Sequence, residues 1–245
     1  MPELSPFLRF SENELQLFAL AFMALVYVWK VRWILKFNAG KERQAPTGRM
    51  DTDAKRGAVY SLFNIAMPWA MSSTRQHPLF WVQFAIFHTG VAISIAMSFL
   101  IPYGPGLIAH PYIVYALQAL FATAFLIGTG RFIRRLVSPY MRAISAPDDY
   151  FSLGLLVVWF GFALMAAPNR PEQGEFWLTG YFLLTAFFLI YVPFSKISHY
   201  IFYPFTRWYL GRTLGHRGVY PMPIDPEAVK RTFFQPSAFI PGKDK

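Results

Sequence analysis

Residues 79–101, LFWVQFAIFHTGVAISIAMSFLI, decide how this chain is read: an apolar stretch of membrane-crossing length that carries one ionisable side chain, His88. A hydrocarbon core takes about 20 helical residues. An imidazole placed there loses its water, so it needs a polar neighbour, a partner side chain or a cofactor. Far downstream, YFLLTAFFLIYVPFSKISHYIF (181–202) holds a second histidine, His199, toward the end of the last long apolar run. Two intramembrane imidazoles on separate helices suggest the axial ligands of a haem. The alternative for each is a histidine bonded to a neighbouring carbonyl or hydroxyl.

The composition fits that stretch. Of 245 residues, 55% are hydrophobic and 19% aromatic, more apolar than a soluble domain usually is. Five runs have the length of a membrane span: Leu15 to Phe37, Leu79 to Ile101, Tyr112 to Phe132, Tyr150 to Ala167 and Trp177 to Phe202. The first is the weakest, since Lys30, Arg32 and Lys36 must snorkel to the interface. The predicted fold is therefore an all-α integral membrane protein, a five-transmembrane-helix bundle.

Charge sets the predicted orientation. Lysine and arginine gather in three clusters, at 30–75, 131–142 and 196–245, which hold twenty-one of these residues against two elsewhere, Arg9 and Arg170. Five spans put the three clusters on one side, so the positive-inside rule predicts an outer N-terminus and a cytoplasmic C-terminus. The net charge of +10 is thereby explained by topology, and nucleic acid is not an expected partner. Glu12 and Glu14 precede the first apolar run and the basic residues follow it, the reverse of a cleavable signal. With no cysteine, this chain has no disulfide, no thiolate-held iron–sulfur cluster and no covalent C-x-x-C-H haem attachment.

Three regions follow in order. Residues 1–14 form an outer segment, in which SENE (11–14) offers an N-cap for the first span. Residues 15–210 form the membrane region. Within it, 38–78 lie on the cytoplasmic side: a polar, mobile loop from Asn38 to Gly57, then an interfacial helix over 58–73 with Trp69 at headgroup level. Residues 211–245 form a cytoplasmic arm whose Phe233, Phe234, Phe239 and Ile240 suit docking on another protein. His110 reads as an interfacial side chain, and His77 and His216 as contacts to lipid headgroups or a partner.

Within the second span, Phe84, Phe87, His88, Val91 and Ile95 recur at spacings of three and four and are expected to share a face. Gly90, Ala92, Ser94 and Ala96 are small enough to admit either a flat ring or another helix. At about 1.5 Å per residue, His88 lies roughly 13 Å from Leu79 and His199 roughly 12 Å from Arg207, which matches their depths. Counted from the outer ends, Ile101 and Trp177, the depths are roughly 20 and 33 Å and do not match.

The segments FHTGVAIS (87–94), RRLVSPYMRA (134–143) with an apolar span after it, and YVPFSKISHY (191–200) resemble the five-helix cytochrome b (gamma) subunit of respiratory nitrate reductases. They also resemble its relatives in heterodisulfide-reductase-like membrane complexes of sulfate reducers, over residues 75–210. The resemblance implies that His88 and His199 ligate one haem b near the cytoplasmic face. It matches Lys196 to a basic residue of the family and makes Lys196 and Arg75 candidate partners of the haem propionates; snorkelling is the alternative for both. Members of that family carry a second histidine pair for an outer haem, and those positions are Ser98 and Tyr181 here. One haem is therefore expected.

The expected function is a haem b membrane subunit of a respiratory oxidoreductase complex. It would pass electrons between menaquinone, ubiquinone or a membrane partner, including multihaem cytochromes, and a cytoplasmic iron–sulfur subunit of heterodisulfide-reductase or nitrate-reductase-beta type. The expected location is a bacterial or archaeal cytoplasmic membrane. The competing expectation is a non-redox membrane scaffold that has lost haem, and a small transporter is disfavoured because no span has paired charges or a broken-helix signature.

Overall fold

A computed structural model describes residues 4–38, 40 and 42–223. The arm residues Phe233, Phe234, Phe239 and Ile240 lie outside the described residues. The chain is all-helical, with no strand among the described residues. In order the helices are α1 (Pro6–Glu12), α2 (Glu14–Ile34), α3 (Ala54–Phe63), α4 (Ser72–Gln76), α5 (Pro78–Tyr103), α6 (Pro105–Ile108), α7 (Pro111–Val137), α8 (Pro139–Ala143), α9 (Pro147–Ala166), α10 (Phe176–Tyr191) and α11 (His199–His216).

Proline sets much of this segmentation. Six helices begin on it, at Pro6, Pro78, Pro105, Pro111, Pro139 and Pro147, where the missing N–H costs nothing and the fixed φ suits the first turn. Five segments are long and apolar enough to cross a membrane: Pro6–Ile34, Pro78–Tyr103, Pro111–Val137, Pro147–Ala166 and Phe176–Phe194. SENE supplies the N-cap position of α2 at Asn13, although the Asn13 side chain makes no capping bond. Ser11 lies inside α1 and its hydroxyl donates to the Phe7 carbonyl at 2.8 Å; the cap of α1 is Ser5, whose Oγ accepts from the Leu8 N–H at 3.1 Å.

The chain divides into two compact units, one of residues 1–36 and 83–198, the other of 37–82 and 199–245. In the first unit α7 packs on α9, α9 on α10, and α10 on α1 and α2. Trp159, Phe160, Tyr181, Phe182, Phe121 and Met97 are fully buried there. Trp159 Nε1 donates to Thr185 Oγ1 at 2.9 Å, which donates on to the Tyr181 carbonyl at 2.7 Å, so the indole is buried without stranding its one donor.

The fifth apolar run is not one helix. α10 stops at Tyr191 because Pro193 can supply no N–H to continue it, and 3-10 turns follow at Val192–Phe194 and Lys196–Ser198. The groups this break frees are taken up locally. The Ser198 and Ser195 hydroxyls both donate to the Val192 carbonyl, at 2.6 and 3.1 Å. Lys30 Nζ donates to the Pro193 carbonyl, and its ammonium lies 5.3 Å from the Phe194 ring centroid. Lys30, read from sequence as a snorkelling side chain, thus meets a carbonyl that the break frees. Non-helical backbone at membrane depth is tolerated where protein groups satisfy it.

In the second unit α3 lies against α11 at backbone contact. A Cβ added at Gly57 would sit 2.5 Å from Gly215 Cα and closer still to the Gly211 carbonyl, and one at Gly211 would sit 2.6 Å from Ser61 Cβ. Only hydrogen fits at those positions. Arg207 locks the crossing, with Nε donating to the Ser61 carbonyl at 3.1 Å and Nη2 to Asn64 Oδ1 at 3.0 Å. Asp53 caps α3 through the Lys55 and Arg56 N–H groups, at 2.7 and 2.9 Å. The interfacial helix expected over 58–73 thus starts earlier and ends at Phe63, with a 3-10 turn at Asn64–Ala66 and then α4.

The loop read as mobile is tied down. The Gly48 and Arg49 N–H groups donate to the Arg217 and Gly218 carbonyls at 3.1 and 3.2 Å, Arg217 pairs with Glu42 at 2.8 Å, and Thr52 donates to the Gly215 carbonyl at 2.9 Å. His216, assigned from sequence to lipid or a partner, has Nε2 2.9 Å from the Gln44 carbonyl. The Gln44 N–H and then Arg217 hold the Glu42 carboxyl below its ordinary range, and the Arg49 guanidinium does the same for Asp51.

Candidate functional site

Helix α5 buries Phe87, Gly90, Ser94, Met97, Ser98 and Ile101, a helical stripe offset by one residue from the one expected. Phe87 belongs to it, but His88 and Ile95 are exposed and Phe84 and Val91 half-buried. The small residues divide in the same way. Gly90 receives another helix, since a Cβ there would meet Ala124 Cβ at 3.0 Å and Phe160 Cε1 at 3.2 Å, while Ala92 is exposed. The helix-packing use of Gly90 is therefore realised.

His88 is oriented from within its own helix. Its Nδ1 lies 2.8 Å from the Phe84 carbonyl. A carbonyl only accepts, so Nδ1 carries the proton and the lone pair resides on Nε2. The Phe84 ring stacks obliquely on the imidazole at 4.0 Å between centroids, and Phe87 meets it edge-on at 6.1 Å. A fixed Nδ1–H donor with Nε2 as the electron-pair donor is the tautomer a metal-binding imidazole uses. His88 therefore fits axial ligation of a haem.

The other expected site residues are placed as follows. His88 and Lys196 belong to the first unit, His199 and Arg75 to the second. His199 is the first residue of α11 and is exposed; it lies beyond the candidate span Phe176–Phe194, a correction to the reading that put it on the fifth crossing. Lys196 Nζ pairs with Asp149 Oδ2 at 2.7 Å, and its backbone N–H donates to Asp148 Oδ2 at 2.9 Å. Asp148 also accepts from the Tyr191 hydroxyl, which lies 2.9 Å from Ser152 Oγ. Arg75 Nη1 donates to the Trp69 carbonyl at 2.6 Å. Asp148 and Asp149 stand in the first turn of α9, where carboxylates suit the helix dipole. That role is present, since Asp149 accepts the Ala146 N–H at 2.8 Å, but the tie to Lys196 spans 47 positions and leaves no local signal.

Ser98 and Tyr181, the positions that the resemblance aligns with an outer histidine pair, are both buried in the first unit. The Tyr181 hydroxyl donates to the Ser94 carbonyl, Ser98 Oγ donates to the Ile95 carbonyl at 2.7 Å, and Trp159 stacks parallel to Tyr181 at 6.4 Å. Packed side chains occupy that region. Among the described residues no three histidine, aspartate or glutamate side chains gather as a metal cage.

No family model matches the chain, and no solved structure matches it. It is similar to a curated protein of Nitratidesulfovibrio vulgaris, described only as "Protein", with 28% identity over 170 residues, 64% of this chain and 70% of that one.

Proposed function

We propose that the chain is a membrane electron-transfer subunit that holds one haem b between His88 and His199. The observation that carries this reading is the His88 ring on an apolar helix of spanning length, with Nδ1 bonded to the Phe84 carbonyl so that Nε2 is the donor nitrogen. The resemblance of residues 87–94 and 191–200 to cytochrome b subunits supports the same pair. When bound, haem would supply a one-electron carrier. The chain supplies the rest: Phe84 orients the imidazole and the apolar helix excludes water. The distribution of basic residues supports an outer N-terminus and a cytoplasmic C-terminus, and the resemblance to respiratory subunits suits a bacterial or archaeal cytoplasmic membrane. On this reading electrons pass between a quinone or membrane partner and a cytoplasmic iron–sulfur subunit.

A reduced-minus-oxidised visible spectrum of the purified protein tests this, with a b-type absorbance expected. Replacing His88 or His199 with alanine should abolish that absorbance. Both variants keeping full haem would sink the ligand assignment.

A second reading, a non-redox membrane scaffold, is favoured by one specific observation: the region of Ser98 and Tyr181 is filled by packed aromatic side chains. Absence of b-type absorbance in the wild-type protein would leave this reading standing.

A further inference from the structure

Helix α7 buries Phe121, Ala124 and Gly128, and Arg131 and Arg135 continue that protein-facing stripe at the next helical spacings. Arg135 Nη1 donates to Ser145 Oγ at 2.5 Å. Arg131 is half-buried and, among the described residues, has no ion pair; its guanidinium carbon lies 5.8 Å from the centroid of the Phe87 ring. Phe87 is the residue whose ring meets His88 edge-on. Arg134 and Arg135 follow at three and four positions, which concentrates like charge on the turn.

A half-buried guanidinium beside like charges is costly unless an anion answers it. Stacking on a ring fixes its plane and leaves the N–H edge to meet an oxyanion. Lys196 and Arg75, the cations first matched to propionates, are committed to Asp149 and to the Trp69 carbonyl. We propose that Arg131 supplies the counter-charge to a carboxylate of the haem held at His88, with Phe87 positioning both its guanidinium and the imidazole. This rests on the haem reading above and assigns the propionate contact to α7.

The test is a potentiometric titration of the b-type absorbance in the purified full chain at several pH values, with anionic phospholipid content measured alongside. Arg131→Gln should lower the midpoint potential, because an uncompensated carboxylate favours oxidised iron. It should also make the potential more pH-dependent, because that carboxyl then takes up a proton on reduction. Arg131→Lys should restore most of both, and Arg142→Gln, an exposed arginine of the following turn, should change neither.

Haem retained in Arg131→Gln with the wild-type potential and pH profile overturns the inference. So does loss of bound anionic lipid with no change in potential, which assigns the anion to the bilayer. If the Gln variant holds no haem, the Lys variant decides. Haem kept at near wild-type potential supports a charge role, and haem lost from both assigns the residue to packing and overturns it. A wild-type protein without b-type absorbance refutes the haem reading itself, a result distinct from all of these.

Discussion

The first unit is held by bulk and the second by its lack. Between α9 and α10 the contact is made by rings, with Trp159 meeting Tyr181 and Phe188 at 6.4 and 5.0 Å between centroids. Between α3 and α11 it is Gly57, Gly211 and Gly215, with backbone against backbone. In lipid, apolar area drives little association, so a bundle there depends on shape complementarity and on satisfied polar atoms such as the Trp159 donor. The second unit, rich in polar loop, relies on close approach, on hydrogen bonds donated by Arg207 and Arg217 and on those accepted by Asp53.

The largest break should come from Trp159→Ala. Removing a fully buried indole leaves a cavity worth about 3–5 kcal/mol, read as a lowered unfolding midpoint of the detergent-solubilised protein. Proteolysis within 40–75 should stay unchanged, which confines the damage to the first unit. Next, Gly57→Ala should cost about 1–3 kcal/mol through overpacking against Gly211 and Gly215 and open the second unit to protease. The matched control is Gly130→Ala in α7, where an added Cβ meets nothing within 4 Å and which should be neutral or slightly stabilising. Equal effects of the two glycine changes would remove the close-approach argument.

A smaller effect is expected from Asp53→Ala, which deletes the cap of α3 at about 1 kcal/mol and should appear as faster amide exchange at Lys55 and Arg56. The smallest comes from pH. The folded-state pKa of Glu42 lies below its ordinary value of 4.5. Its contribution is therefore complete above that value and is lost as pH falls through the folded pKa. Acid should lower the protection of the Gln44 amide, measured against its intrinsic exchange rate at each pH, and Glu42→Gln should remove that change in protection.

The five apolar helices were legible because length and composition alone define them. Which side of α5 faces the protein was not. With hydrophobic residues all round, 87–90–94–97–101 and 84–88–91–95 are equally good stripes, and only the arrival of Ala124 and Phe160 at Gly90 selects the first. The break after Tyr191 corrects the expectation that no span carries a broken-helix signature. Pro193 stands in plain view, but the sequence does not announce that Lys30 will reach its carbonyl. Likewise the polar loop reads as mobile on composition, and becomes ordered through bonds to Arg217 and Gly218, some 170 positions away. At the candidate site, His88 and its helix were legible; the Phe84 bond that fixes its tautomer follows only once the ring's rotamer is known.

The bonds described around the 192–198 break have an order in time. Lys30 on α2, and Asp148 and Asp149 on α9, all precede it in the chain, as does Tyr27 on α2, whose hydroxyl lies 3.3 Å from Ser198 Oγ. As synthesis runs from the N-terminus, the ribosome delivers this kink to a membrane where those partners have already been made. Shortening the chain from its C-terminal end as far as Ser198 would remove none of them.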